Sequence, residues 1–294
     1  MTTLTAFAPA KVNLYLHVGA PDAEGMHPIS SLMVFADVGD ELSVRPADAL
    51  GLEIKGPFAQ GLGAGDDNLV LRAARSLLAR TKRPHGGFQL GLNKALPLAA
   101  GLGGGSSDAG AALRLLRDYL EAGLSDASLE AIAAELGSDG AACVFARSVV
   151  AEGRGERLSP APAFPVLDAV LVNPGVASPT GPVYRGYDAM GARPSADRPV
   201  LPDAFESAEE MAGFLHACRN DLEAPAVQLA PAIGEVLETL RDEPETLLAR
   251  LSGSGATCFA LCAGDIEAET LAERLERLRP GWWVRRCRLG GPWD

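Results

Sequence analysis

No Gly-Lys pair occurs anywhere in the sequence, which excludes a Walker-type phosphate loop, where lysine and a following Ser or Thr close a glycine-rich turn. Lysine itself is scarce: Lys11, Lys55, Lys82 and Lys94 are the only four among 26 basic residues. There is no Cys-x-x-Cys pair, and the five cysteines, Cys143, Cys218, Cys258, Cys262 and Cys287, are odd in number and scattered. That spacing argues against a disulfide framework or a structural zinc, so reduced thiols are expected. His17, His27, His85 and His216 are too dispersed to suggest a protein-bound metal. A metal, where one is needed, is expected to arrive on a ligand's phosphates. No apolar run approaches the roughly 20 residues of a membrane span, and the first ten residues lack the charged and apolar regions of a signal peptide. A cytoplasmic protein with no membrane partner is therefore expected. Positive charge is also in deficit: 26 basic against 38 acidic residues leave a net charge of -12, a field that repels nucleic acid. An anionic ligand must then be held by local groups.

Residues 96–116 supply such groups, reading LPLAAGLGGGSSDAGAALRLL. Gly101, Gly103, Gly104 and Gly105 separate a strand-like run from a helix-like one, and backbone free of Cβ atoms wraps closely around a ligand. Ser106, Ser107 and Asp108 then open a helix whose first turn offers unpaired N–H groups at the positive end of its dipole. The stretch reads as an anion cradle. A dinucleotide fingerprint does not fit, because Ser106 or Asp108 stands where its last glycine belongs.

Upstream, Val12, Leu14, Leu16 and Val18 alternate with Lys11, Asn13, Tyr15 and His17, so a strand here puts Lys11 and Asn13 on one face. In an arginine-rich chain such a lysine serves either a site that needs a compact ammonium or the protection of a sheet edge, and both readings stand open. His27, in the polar turn 22–28, reads as solvated. Strands are expected at 41–45, 52–55 and 88–92. Asn68 stands at the N-cap of a helix carrying Leu69, Val70, Ala73, Ala74, Leu77 and Leu78, and Ser125 caps another that Gly137 ends. Asp139 follows, ahead of a wholly uncharged run. Its carboxylate is either a further cap or a partly desolvated group in need of a partner. Strands at 148–152 and 168–172 flank Pro160, Pro162 and Pro165, which mark a domain boundary. Residues 191–203 are Pro-rich and polar, as an exposed loop would be. Helices are expected at 206–218, 221–229, 233–241 and 266–278, with a last strand at 283–289. Strands at 248–251 and 258–261 pair through SGSGA at 252–256, where Gly253, Ser254 and Gly255 form either a second anion nest or a plain hairpin turn.

Three segments taken in order carry a resemblance. PAKVNL at 9–14, residues 96–112 and LSGSGA at 251–256 resemble the three signature motifs of the GHMP small-molecule kinases. DDNLVLRAA at 66–74, LGSD at 136–139, AEG at 151–153, NPGV at 173–176 and RNDLE at 219–223 resemble, within that superfamily, the branch acting on a cytidine-linked alcohol. The resemblance runs from about residue 7 to residue 261. It implies the α+β class: a two-domain GHMP kinase fold, with an N-terminal ribosomal-protein-S5-like domain over 1–160 and a C-terminal ferredoxin-like α+β domain over 161–294. It also implies ATP with Mg2+ and, as small-molecule substrate, cytidine diphosphate methylerythritol. By the same resemblance Lys11 and Asp139 are catalytic, and Asn68 lies near the adenine. Pro97, Leu98, Ala99, Ala100, Gly101, Leu102, Gly103, Gly104, Gly105, Ser106 and Ser107 hold the triphosphate. Asn13, His27, Thr180 and Tyr184 address the substrate, and Gly253, Ser254 and Gly255 form the third motif. Two positions depart from the family pattern: Met26 replaces an aromatic residue before the loop histidine, and Gly140-Ala141 replaces Val-Pro after Asp139. Another GHMP kinase, of the homoserine or mevalonate type, and a non-catalytic nucleotide-binding protein on the same fold are the alternatives.

Overall fold

The structure, a computed structural model, describes residues 4–81, 86–191 and 195–293. Lys82, His85 and three positions of the 191–203 stretch lie outside the described residues. In chain order the elements are β1 (Leu4–Val18), β2 (Ile29–Pro46), β3 (Gly51–Lys55), α1 (Leu69–Leu78), β4 (Phe88–Asn93), α2 (Gly104–Tyr119), α3 (Asp126–Leu136), α4 (Gly140–Phe145), β5 (Val149–Gly153) and β6 (Arg157–Pro160). They continue with β7 (Leu167–Asn173), α5 (Thr180–Ala189), α6 (Ala208–His216), α7 (Glu223–Leu229), α8 (Ala232–Asp242), β8 (Thr246–Leu251), β9 (Cys258–Cys262), α9 (Asp265–Leu278) and β10 (Trp283–Gly290). Helices packed on a sheet whose strands pair antiparallel, except β3 with β4, are those of the α+β class. Among the described residues no helix is long and apolar enough to cross a membrane.

One sheet runs through the molecule in the order β3-β4-β2-β10-β7-β9-β8, with β1 and β5 also paired to β2 and β6 paired to β5. Strand β2 is its spine, 18 residues long, and pairs with β1, β4, β5 and β10 along its length. The alternation at 41–45 marks only its C-terminal end. The preceding ISSLMVFA is buried on both faces, and a strand covered on both sides shows no alternation to read. Strand β10 pairs with β7 and with β2, so strands from both sides of the proline cluster share the sheet. The cluster itself is partly ordered as β6, which ends at Pro160 on an outer strand where a missing N–H is tolerated.

Strand β1 carries the site because its register is broken there. Shifts fall between Pro9 and Lys11 and between Asn13 and Tyr15 in its pairing with β2. Such irregularities re-aim side chains and release backbone groups from the ladder. The freed Lys11 amide donates to the Leu102 carbonyl at 2.8 Å, and the Asn13 amide to the Ser252 hydroxyl at 3.2 Å. The middle of β1 is thereby tied to two loops at once. Every residue from Lys11 to Val18 is buried, so both faces of this strand are covered and neither lysine nor asparagine guards an edge.

Three helices cover the sheet around the glycine-rich stretch. Asn68 caps α1 as expected, its Oδ1 accepting from the Val70 amide at 2.9 Å, and Ser125 caps α3. Helix α2 begins at Gly104, two residues before the expected Ser106, and its cap is Gly103 in the left-handed region. Its Ala109, Ala111, Ala112, Leu113 and Leu116 are buried among α1, α3 and β4. Close approach is enforced at Gly110, where a Cβ would lie 2.8 Å from the Cys143 carbonyl oxygen of α4. Helix α5 was not anticipated: TGPVYRGYDA carries two glycines and a proline and only a weak apolar stripe.

Candidate active site

The glycine loop is shaped by positive φ at Ala99 (48°), Gly101 (74°) and Gly103 (62°). The first intrahelical bond of α2 runs from the Ser107 amide to the Gly103 carbonyl at 2.9 Å. The amides of Gly104, Gly105 and Ser106 precede it and have no partner within the helix, the arrangement that suits an anion. Gly103 has a second reason to be glycine, since a Cβ there would come 3.1 Å from the Lys11 side chain. Ser107 is fully buried behind the loop and does not line the cavity.

The SGSGA turn packs against this loop. Ser252 donates from Oγ to the Gly101 carbonyl at 2.9 Å, and the Thr257 amide donates to the Ala100 carbonyl at 3.0 Å. Gly253 and Ser254 line the cavity, whereas Gly255 does not. Of the two readings of this turn, the contacts describe a hairpin connection that buttresses the first loop.

A buried charge cluster that no local sequence pattern marks lies beneath the loop. Lys94 Nζ lies 2.5 Å from Asp40 Oδ2 and 2.7 Å from Asp108 Oδ2, with all three side chains at most 3% exposed. Asp40 Oδ1 accepts from the Ala95 and Leu96 amides at 2.6 and 2.9 Å. The entry to the loop and the first turns of α2 are thus fastened to one ammonium. Burial pushes the Asp108 carboxyl up to about 7, against the pull of Lys94 and with help from the Asp40 charge. Its Oδ1 has no hydrogen-bond partner. The scarcity of lysine was the available signal, but three positions so far apart in sequence give no pattern.

Lys11 and Asp139 meet. Lys11 Nζ lies 3.0 Å from Asp139 Oδ2 and 2.6 Å from Asn13 Oδ1. Asn13 Nδ2 in turn donates to Ser31 Oγ at 2.7 Å. Asp139 stands at the cap position of α4 but makes no side-chain capping bond. Its carboxylate is therefore turned to the lysine instead of the helix, and its side chain keeps 28% exposure where Lys11 keeps 5%. The glycine that follows is required by packing: a Cβ on Gly140 would lie 2.0 Å from the Ala133 carbonyl oxygen. The Val-Pro of the family pattern has no room here.

His27 is not solvated. Its side chain is 7% exposed, with Nε2 3.5 Å from Asp188 Oδ2 and the ring 5.0 Å from that of Tyr184. Nδ1 lies 2.9 Å from the Gly19 carbonyl, which only accepts, so Nδ1 carries the proton. Burial pushes the Tyr184 hydroxyl up to about 12, the Asp139 charge adding to it. Thr180, at the start of α5, shares a 2.9 Å hydrogen bond with Ser254 across the cleft. Met26 is half exposed and lines the same space.

These groups surround one cavity of about 1010 Å³. Lys11, Asn13, His27, Asn68, Asp139, Thr180, Tyr184, Gly253, Ser254 and the loop from Pro97 to Ser106 all line it. Asn68 has both ends of its amide engaged, since Nδ2 also donates to the Gly63 carbonyl at 2.8 Å. Among the described residues no group of three His, Cys, Asp or Glu side chains is placed to hold a metal ion.

Comparison with known proteins agrees with this geometry. Residues 68–147 match the GHMP kinases N terminal domain and residues 201–280 the GHMP kinases C terminal domain. The chain is 67% identical over 287 residues to the 4-diphosphocytidyl-2-C-methyl-D-erythritol kinase of Caulobacter vibrioides (strain NA1000 / CB15N), covering 97% of this chain and 99% of the relative. A crystal structure of 4-(cytidine 5'-diphospho)-2C-methyl-D-erythritol kinase superposes with a TM-score of 0.79 at 35% identity, over 98% of this chain and 100% of the other. The homoserine kinase from Cytophaga hutchinsonii, at 18% identity and a TM-score of 0.70 over 99% and 95% of the two chains, shares the fold alone. The chain belongs to the GHMP kinases and, within them, to the 4-diphosphocytidyl-2-C-methyl-D-erythritol kinase family.

Proposed function

We propose that this chain transfers the γ-phosphoryl group of ATP, bound with Mg2+, to the 2-hydroxyl of 4-diphosphocytidyl-2-C-methyl-D-erythritol, a step of non-mevalonate isoprenoid precursor synthesis in the cytoplasm. The observation that carries this reading is the 3.0 Å contact between Lys11 and Asp139 inside the cavity that the glycine loop also lines. In this reading Pro97 to Ser106 cradle the triphosphate with Ser107 buried behind them, and Asn68 borders the adenine through its backbone and apolar neighbours. Asn13, His27, Thr180 and Tyr184 receive the cytidine-linked alcohol. The substrate hydroxyl gives its proton to Asp139 as its oxygen bonds to phosphorus, and the bond from phosphorus to the ADP oxygen breaks. Lys11 holds the carboxylate in place and offsets charge on the transferred group. Phosphoryl transfer has a loose transition state, so positioning and electrostatics matter more than base strength.

Mg2+ takes oxygen ligands and is usually held through phosphates with one or two protein oxygens. Ser106, which lines the cavity at the start of α2, is a donor of that kind and fits such a role. The ion would neutralise charge building on the phosphate oxygens. The two-domain reading places the glycine loop and Asp139 in residues 1–160, and α5 and the SGSGA turn in residues 161–294, with the cleft between them. Five buried free thiols suit a reducing compartment, and the net charge of -12 opposes nucleic acid as a partner. An ADP-release assay comparing the cytidine diphosphate alcohol with homoserine and mevalonate tests the reading. Turnover of the first alone is expected, and preference for either simple alcohol would overturn it.

A further inference from the structure

We propose that Arg185 grips the diphosphate that joins the cytidine to the alcohol, and so sets selectivity for a diphosphate-linked substrate. The inference rests on the substrate reading above. It starts from charge: in a chain of net charge -12 the cavity must accept a triphosphate and a diphosphate together. Of the Lys and Arg side chains lining it, Lys11 is committed to Asp139, Lys94 to Asp40 and Asp108, and Arg154 to Asp22 and Glu24. Among the described residues Arg185 alone of these lining cations has no carboxylate within ion-pair distance. An uncommitted guanidinium offers a planar fork of donors matched to phosphate oxygens.

Position agrees with charge. Arg185 follows Tyr184 on α5, and its guanidinium folds back toward the helix start, with Nη1 3.5 Å from where a Cβ on Gly181 would be. Gly181 adjoins Thr180, whose hydroxyl bonds Ser254 of the turn behind the glycine loop. Tyr184 packs its ring on His27. The guanidinium is thus near the start of α5, in the interval between Tyr184 beside His27 and Thr180 beside the turn. A diphosphate linking base to alcohol spans that interval. A larger side chain at Gly181 would occupy the same space.

The test compares wild type, Arg185→Ala and Arg185→Lys, using cytidine and cytidine diphosphate as competitive inhibitors beside the full substrate. Arg185→Ala is expected to raise KM for the substrate and the inhibition constant of cytidine diphosphate by about ten-fold, the size of a charge-assisted contact on a partly exposed rim. Inhibition by cytidine and KM for ATP should stay within two-fold, and Arg185→Lys should recover part of the loss. Equal weakening of cytidine and cytidine diphosphate, or no weakening of either, overturns the role of Arg185. A shift in KM for ATP instead would move the residue to the nucleotide side and overturn it as well. Failure of cytidine diphosphate to inhibit the wild type overturns the substrate reading, a result separable from any effect of the substitution.

Discussion

Gly101 and Ser252 touch backbone to backbone: a Cβ placed on Gly101 would lie 2.2 Å from the Ser252 carbonyl oxygen and 2.9 Å from the Gly255 amide nitrogen. Neither atom belongs to a flexible side chain, and φ at Gly101 is 74°. The first glycine loop and the SGSGA turn are therefore packed backbone against backbone, with no room for a side chain between them. Gly101→Ala is expected to destabilise the protein by roughly 2–3 kcal/mol and to raise KM for ATP several-fold. Thermal denaturation and an ATP titration check this. Unchanged Tm and KM would mean that loop and turn are not coupled.

Asp40 and Asp108 share one ammonium but should not respond alike to neutralisation. Asp40 also holds two loop amides, and removing its charge leaves Lys94 under-compensated in a buried site. Asp40→Asn is expected to cost about 3–5 kcal/mol. Asp108, raised by burial from 3.8 to about 7, is different. With the folded value above the unfolded one, its stabilising contribution is full below about pH 4 and is lost as pH rises through about 7. Asp108→Asn should lack that part of the pH slope while leaving Lys94 an acceptor, and should be at least as stable as the wild type at pH 8. Melting curves from pH 4 to 8 decide the matter, and parallel profiles for wild type and variant would contradict the assignment.

His27 offers a separable test of the cytidine end. Its Nδ1 is fixed on the Gly19 carbonyl, which leaves Nε2 on the side of Asp188. His27→Ala is expected to raise KM for the substrate about ten-fold or more through loss of a hydrogen bond and a ring contact, with KM for ATP unchanged. Steady-state kinetics with each substrate varied in turn would show it.

The five thiols should be silent in the native state. All are buried, and burial pushes Cys143 and Cys262 up to about 12, far from the thiolate range that reacts. A thiol reagent at neutral pH is expected to label none in the folded protein and all five after denaturation. Rapid labelling of the native protein would show that one of these sites opens.

Where periodicity and capping chemistry are local, the sequence announced the fold. Asn68, Ser125, the alternation at 88–92 and the hairpin strands on either side of SGSGA all stand as expected. Strand β2 was legible only at its end, because burial on both faces erases alternation. The start of α2 was misplaced for a related reason: serine signals a cap by its side chain, but Gly103 caps through backbone conformation alone. The pairing of Lys11 with Asp139 depended on resemblance, since local spacing left each with two open readings: an edge guard or a site ammonium for the lysine, a cap or a desolvated carboxylate for the aspartate. The Lys94 cluster and Arg185 carry no local pattern at all. They become visible only when strands β2 and β4 and helices α2 and α5 are assembled around the cavity.

The central claim is that Asp139 receives the proton of the acceptor hydroxyl while Lys11 holds it in position. The direct measurement is single-turnover transfer of labelled phosphate from ATP to 4-diphosphocytidyl-2-C-methyl-D-erythritol by Asp139→Asn, alongside ATP binding to the same variant. Transfer is expected to fall by about 10²–10⁴-fold, with ATP affinity within two-fold of the wild type. Transfer at the wild-type rate, or a loss matched by an equal loss of ATP binding, would contradict the account.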